Sequence, residues 1–307
     1  MARIVFGMID NNTRPIGGVK VIYQAVAGLR RFGLDAYVGS AVGVPGWLAG
    51  SRTAEEAAIL DMRQPHLIGP DDLYVATDAI GPGRMPLLLR LPERRVLFIQ
   101  NHNALRFNGS IDWVKLRHIR CLTVSNYSRR VLLEQAGFRE AHVVSPGVDL
   151  SVFRPAPRKR HRIAYMPRKW PGAVDQLKGH VRRTIEWLPI DGCSEAETAA
   201  ILAESTIFLN LGRGEGLGLP PLEAMAAGCV LCGFASQGTT DFASTENGFW
   251  VDEGDGPGCI QAINAAVAAF DDQERVARLI QAGMATAQRY SLPLFEERMA
   301  AYFRALL

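Results

Sequence analysis

The chain has 307 residues, 48% of them hydrophobic, and a mean hydropathy of +0.03. These values fit a globular protein with enough chain for two cores and exclude a disordered or fibrous one; no apolar run approaches the roughly 18 residues of a transmembrane helix. The net charge of +3 is split unevenly: residues 1–150 carry 18 Lys and Arg against 13 Asp and Glu, and residues 151–307 carry 16 against 18.

From the N-terminus, "RIVFGM" (3–8) reads as a strand whose apolar run ends at Asp10, and not as a signal peptide. Cytoplasmic residence is the resulting expectation. A helix is predicted from about Gly18 to Phe32, with Val19, Ile22, Val26 and Leu29 on one face. "DAYVG" (35–39), "LYVAT" (73–77), "RVLFIQ" (95–100), "CLTVS" (121–125) and "AHVVS" (141–145) are further strands. Ser125 caps a helix running to about Ala136 and closed by Gly137. Between Arg84 and Arg130 lie ten basic residues against Glu93 and Asp112 alone. Such a stretch is either a solvated surface or a face that attracts phosphates, nucleic acid or an anionic membrane. "SPGVDLSVFRPAPRKRHR" (145–162) has three prolines, a basic cluster and no periodicity, and reads as a linker.

Beyond it the alternation restarts with "IAYM" (163–166), "TIEWLPI" (184–190), a helix from Ser194 to Glu204, "TIFLNL" (206–211), "CVLCGF" (229–234) and "GFWV" (248–251). The tail from Gly258 is helical with a break near Ser291, Leu292 and Pro293. Regular β-α alternation of this kind predicts parallel sheets covered on both faces. The five cysteines make no framework and are expected as free thiols; Cys229 and Cys232 fall on opposite faces of one buried strand. The six histidines show no zinc spacing.

The stretch "GRGEGLGLPPLEAMAAG" (212–228) runs from a Gly-rich loop at the carboxyl end of a buried strand into a short helix, predicted over Pro221 to Ala227 with Gly228 just past its end. Loop amides at Gly216, Leu217 and Gly218 and the positive end of a helix suit an anion. Glu223, placed in the first turn, can accept from vicinal hydroxyls, and Glu215 can face a second polyol. A diphosphate flanked by two sugars would use all of these groups. The competing reading is an ordinary strand-loop-helix with Glu223 as a dipole partner.

"EGLGLPPLEAMAAGCVLCG" resembles the E-x7-E segment of the retaining glycosyltransferases of family 4, with Glu215 and Glu223 at the motif's spacing. "GGVK" (17–20), "LTVSNYSRRVLLEQAGF", "VVSPGVDLSVFRP", "ENGFWV" (246–251) and the closing "YSLPLFEERMAAYFRALL" are similar to the family's other segments in the same order, so the resemblance spans nearly the whole chain. It implies a GT-B fold, two Rossmann-like doubly wound domains facing a central cleft. Residues 1–155 would hold the acceptor and 156–290 the nucleotide sugar, with 291–307 a helix packing back on the first domain.

By the same resemblance, Glu215 contacts hydroxyls of the donor sugar, Glu223 binds the ribose, and Gly216–Gly218 hold the sugar and phosphates. Gly17 and Gly18 let the first domain's loop approach the diphosphate. A cation pair steadies the leaving diphosphate: Arg168 is one member, and the other is Lys169, which is nearer the strand end, or Lys178, which precedes a glycine as in the family. His102, after the strand at 95–100, is the counterpart of a histidine near the reacting sugar, and Asp78 occupies a similar strand end. Retention by front-face attack needs no protein nucleophile, and a basic pair can replace a metal, so neither metal nor cofactor is expected beyond the nucleotide sugar itself. The acceptor is a saccharide or lipid-linked glycan, the latter reached at the inner face of a membrane. A hydroxylated base in DNA and a non-catalytic nucleotide-sugar-binding subunit are the alternatives. A phosphorylase using pyridoxal phosphate is disfavoured, because Lys178 is the last lysine in the chain.

Overall fold

The computed structural model describes residues 2–8, 15–63 and 68–307; Asp10 lies outside them. The chain divides into two compact units, Met1–Gly147 with Leu292–Leu307, and Val148–Ser291. Each is built on one parallel sheet.

In unit 1 the elements run β1 (Ile4–Gly7), α1 (Gly17–Arg31), β2 (Ala36–Ser40), α2 (Arg52–Glu56), β3 (Ile59–Asp61), β4 (Leu73–Thr77), α3 (Met85–Leu89), β5 (Arg95–Ile99), α4 (Ala104–Phe107), β6 (Arg120–Thr123), α5 (Asn126–Arg130) and β7 (His142–Val143). The sheet order is β3-β2-β1-β4-β5-β6-β7. All residues of β4 and β5 are buried, as strands covered on both faces must be. Ser125 does cap α5, its hydroxyl accepting from Ser128 N, but the helix changes to a π-turn at Val131–Gln135. Strand β3 was not predicted: Ile59–Asp61 is only three residues long, too short for an alternating pattern, and two of the three are exposed at the sheet edge.

Unit 2 continues with β8 (Arg160–Tyr165), α6 (Ala173–Lys178), β9 (Glu186–Pro189), α7 (Glu195–Glu204), β10 (Ser205–Asn210), α8 (Leu219–Ala226), β11 (Val230–Phe234), β12 (Gly248–Val251), α9 (Gly256–Ala269) and α10 (Gln273–Arg289), in sheet order β12-β11-β10-β8-β9. Ile163, Ile207, Leu209, Phe234 and Ile263 form the centre of its core. Ser194 and Glu197 close a capping box that starts α7. Val148 N donates to Tyr290 O at 2.8 Å, so the chain enters and leaves unit 2 at one place.

The stretch 145–162 is not a plain linker. Its last three residues open β8, and two of its cations point inward. Lys159 Nζ donates to the carbonyls of Leu202 (3.2 Å), Ser205 (2.9 Å) and Ala227 (2.6 Å), at the ends of α7 and α8. A cation there adds a charged donor to carbonyls at helix ends and meets the negative ends of two helix dipoles. Burial holds its ammonium below the usual lysine range. Arg162 is buried as well, its Nε donating to Ser205 Oγ at 2.9 Å. Cys229 and Cys232 are buried free thiols; burial pushes Cys229 up to about 11.

The last helix, α11 (Leu292–Arg304), belongs to unit 1 and packs along α1. Phe303 meets Phe6 of β1 edge-on at 5.5 Å, and Tyr302 stacks on His142 at 5.1 Å. Gly28 leaves room for the buried Glu296, which pairs with Arg31.

Lys159→Met would take a charged donor from three part-buried carbonyls, of which Leu202 O and Ser205 O keep the weaker Cys229 Sγ. Urea unfolding should show a loss of about 3 kcal/mol, with little change in the slope against denaturant.

Candidate functional site

In a doubly wound sheet the crevice forms at the carboxyl ends of two strands whose connections depart in opposite directions. In unit 2 those strands are β8 and β10: the chain leaves β8 toward β9 on one side, then crosses back to β10 on the other. A small pocket lies at their carboxyl ends. Met166, Arg168 and Lys169 line it from the segment after β8, and Gly212, Glu215, Gly218 and Pro220 from the segment after β10.

Lys169 Nζ stands 3.2 Å from Glu215 Oε1, both side chains partly open to solvent. A short 3-10 turn, Pro167–Lys169, puts Arg168 beside them. Asn210, the last residue of β10, holds the start of the loop: its Nδ2 donates to Phe234 O at 2.7 Å, and its Oδ1 accepts from Gly212 N at 3.3 Å. Glu253 accepts from Gly214 N at 3.0 Å. Arg213 lies over the Trp170 ring, which stacks on Phe234. The segment after β11 fixes the rest of the loop. Gly238 N donates to Glu215 O at 3.1 Å, and Thr239 Oγ1 to Leu217 O at 3.2 Å. A Cβ at Gly238 would fall on the carbonyl oxygen of Gly216, so only glycine fits.

Gly218 has φ +97° and is the N-cap of α8, which therefore starts at Leu219 and not at Pro221. Glu223 is consequently the fifth residue of the helix, beyond the first turn where the dipole argument placed it, and it is buried. Leu217 is also buried. Gly228 does take the left-handed conformation past the helix end, with φ +71°.

Of the cations considered for the pair, Lys169 lines the pocket with Arg168 and Lys178 does not. The Lys178 ammonium sits 6.0 Å from the Tyr165 ring centroid and 5.8 Å from that of Trp187, with Asp175 at 4.0 Å.

The unit 1 residues lie at the carboxyl edge of their own sheet. Gly17 and Gly18 open α1; Gly18 O accepts from Gln100 Nε2 at 3.1 Å, and a Cβ at Gly18 would press on that same side chain. His102 is buried, with Nδ1 2.9 Å from Ser128 Oγ and its ring against Tyr127. Asp78 Oδ2 accepts from Asn101 N at 2.8 Å, and burial pushes its carboxyl up to about 6. Among the described residues no three His, Cys, Asp or Glu side chains gather as a metal site. The supports that sequence reasoning missed are Asn210, Thr239 and Glu253. Asn210 closes an apolar strand with a polar residue, a readable sign of a loop anchor; Glu253 carries none.

Residues 168–269 match the family described as Glycosyl transferases group 1. Along most of its length the chain is similar to an alpha-1,6-glucosyltransferase of Actinobacillus pleuropneumoniae serotype 7 (strain AP76). The two are 25% identical over 305 residues, covering 92% of this chain and 89% of the relative. Its fold is similar to sucrose-phosphate synthase from Thermosynechococcus elongatus, with TM-score 0.76, 11% identity, and coverage of 100% and 99% of the two chains. The chain is a GT-B glycosyltransferase. Anabaena HepE, solved in complex with UDP and glucose, shares the fold at TM-score 0.71 and 14% identity, over 99% of this chain and 100% of that one. The family match begins at Arg168 and takes in Lys169, the whole loop after β10 and α8, so the glycosyltransferase group 1 segment contains the unit 2 pocket's ion pair.

Two outcomes follow for this glycosyltransferase. Gly238→Ala should push the Gly216 carbonyl aside and cost about 1–3 kcal/mol in thermal unfolding. For Asp78 the folded value is raised above the ordinary 3.8. Its stabilising contribution is therefore full below about pH 4 and lost as pH rises through about 6. Relative to Asp78→Asn, wild-type stability should fall by on the order of 3 kcal/mol between pH 4 and pH 7 in urea titrations.

Proposed function

We propose that this glycosyltransferase transfers glucose from a nucleoside diphosphate donor to a saccharide hydroxyl, with retention of anomeric configuration and no metal ion. The observation that carries the reading is the Lys169–Glu215 ion pair beside Arg168 at the switch point of unit 2. Before the donor binds, the ammonium and the carboxylate neutralise one another. A diphosphate offers Lys169 and Arg168 a stronger partner, and Glu215 then accepts from hydroxyls of the sugar. Glu223 and the backbone of Gly216–Gly218 complete the donor's hold on α8 and its loop.

As the C1–O bond to the diphosphate breaks, its electron pair stays on the phosphate. Fixed cations steady that growing charge, which is where a transferase gains most from electrostatics. The acceptor hydroxyl attacks C1 from the face the diphosphate leaves, and the departing phosphate takes the hydroxyl's proton. A cation pair placed this way does the work of a divalent ion. Glucose and a saccharide acceptor are taken from the name of the Actinobacillus relative and the HepE complex, which favour a glycan over DNA. An alpha linkage made from an alpha-configured nucleotide sugar is retention. For unit 1 the proposal assigns the acceptor to the carboxyl edge of its sheet, where Gly18, Asp78 and His102 lie.

Arg168→Ala should lower kcat by about 100-fold while changing UDP affinity far less, because the charge it meets grows in the transition state. Stopped-flow turnover of UDP-glucose beside calorimetry with UDP checks this, and equal losses in both would remove Arg168 from the chemistry. Turnover should be unchanged by EDTA, and NMR of the product should show the alpha anomer; a beta product would overturn retention.

A further inference from the structure

We propose that unit 1 carries an anion-binding subsite built on Arg84, which takes the phosphate or carboxylate of an acceptor whose adjoining part is apolar. The assignment of its occupant as the acceptor rests on the function proposed above; the subsite itself rests on unit 1 alone.

Unit 1 has its own switch point, between β1 and β4, and a cavity of about 640 Å³ opens there. Met8, Ile80, Pro86 and Leu87 give it apolar walls. Arg84 is the one charged side chain among the described residues that line it. A 3-10 turn closed by Arg84 N donating to Gly81 O at 3.1 Å holds its backbone. Its guanidinium Nη1 is shut off from solvent and has no hydrogen-bond partner among the described residues.

A buried donor without an acceptor is unfavourable, and a charged one more so. Arg84 as a whole is only half-buried and lines the cavity, so a turn of its side chain would present Nη1 to a ligand oxygen there, and a guanidinium is shaped to hold two oxygens of one phosphate or carboxylate. Asp78, the near carboxylate in sequence, is outside the cavity lining, and its Oδ2 already accepts from Asn101 N. Gly81 and Gly83 also line the cavity and have open space where a Cβ would stand. Ten basic residues against two acidic ones between Arg84 and Arg130 add an attractive field. A neutral sugar alone would leave Arg84 unmatched and the apolar walls wet. A sugar phosphate or a lipid phosphate would not.

The test is calorimetry on the full chain with UDP at saturation, so that the donor site is filled. The probes are hexyl phosphate, glucose 1-phosphate and hexanol, on wild type, Arg84→Gln and Arg84→Lys. One of the two phosphates should bind wild type, about 10- to 100-fold more weakly in Arg84→Gln, with part of the loss restored in Arg84→Lys. Tighter hexyl phosphate identifies a lipid-type phosphate; tighter glucose 1-phosphate identifies a sugar phosphate. Equal affinity of both phosphates for wild type and Arg84→Gln, binding of neither to wild type, or hexanol binding as tightly as hexyl phosphate would each overturn the subsite. UDP binding by the same samples reports separately on the function proposed above and shows that the variants are folded. If wild type failed to bind UDP while Arg84-dependent phosphate binding persisted, only that function would fall.

Discussion

Two neighbouring strands, β8 and β10, send their connections to opposite sides of one sheet, and what unit 2 can do depends on that divergence. Between two strands whose helices cover the same face, side chains would fill the carboxyl end. Where the connections part, the end stays open and backbone from two distant segments meets there. The ion pair of Lys169 and Glu215 joins residues brought together only by this parting. The supports around it serve one requirement: a glycine-rich loop must hold a single shape before a ligand arrives. Asn210 ties its base, Glu253 its middle, and Gly238 and Thr239 its far side. A loop so fixed loses little further freedom on binding, so more of each contact is retained as affinity.

How legible all this was in the sequence depended on whether a residue's partner was local. β4 and β5 were readable because every residue in them is buried and apolar, apart from Thr77 and Arg95 at their ends. The helix begun by Ser194 was readable because its cap and its Glu197 are three residues apart. Glu215 could be picked from its place in a glycine-rich loop after a strand. The start of α8 could not be fixed from the prolines, because the decisive feature is the left-handed backbone of Gly218, one of several glycines there. Glu253 was out of reach, since its partner Gly214 lies 39 residues earlier.

The arginines and lysines teach the same lesson. In sequence Lys159, Arg162 and Arg95 belong to basic clusters and look like surface. In the fold they are interior donors: Arg95 Nη1 gives to the carbonyls of Asp72 at 3.0 Å and Arg94 at 2.9 Å, as Lys159 does to three helix-end carbonyls. Their charge is taken up inside the fold, that of Arg95 and Lys159 by carbonyls and that of Arg162 by Ser205 Oγ, the Ile201 carbonyl and Glu204. Arg168 and Arg84 look no different in sequence, yet each lines a cavity at a switch point. Counting basic residues measures a field; only the chain path says which cations are left for a ligand.

The position of α11 sets an order of events during synthesis. Unit 2 is one unbroken length of chain, whereas unit 1 needs its first 147 residues and its last sixteen. Phe6 on the first strand finds Phe303 only when the final turn of helix has been made. A chain emerging from the ribosome can thus finish its second unit while the first still shows water the groove on α1 that Gly28 keeps open for Glu296. The part made first is the part completed last, and a nascent chain stalled before residue 292 would carry one closed unit and one unsealed apolar face.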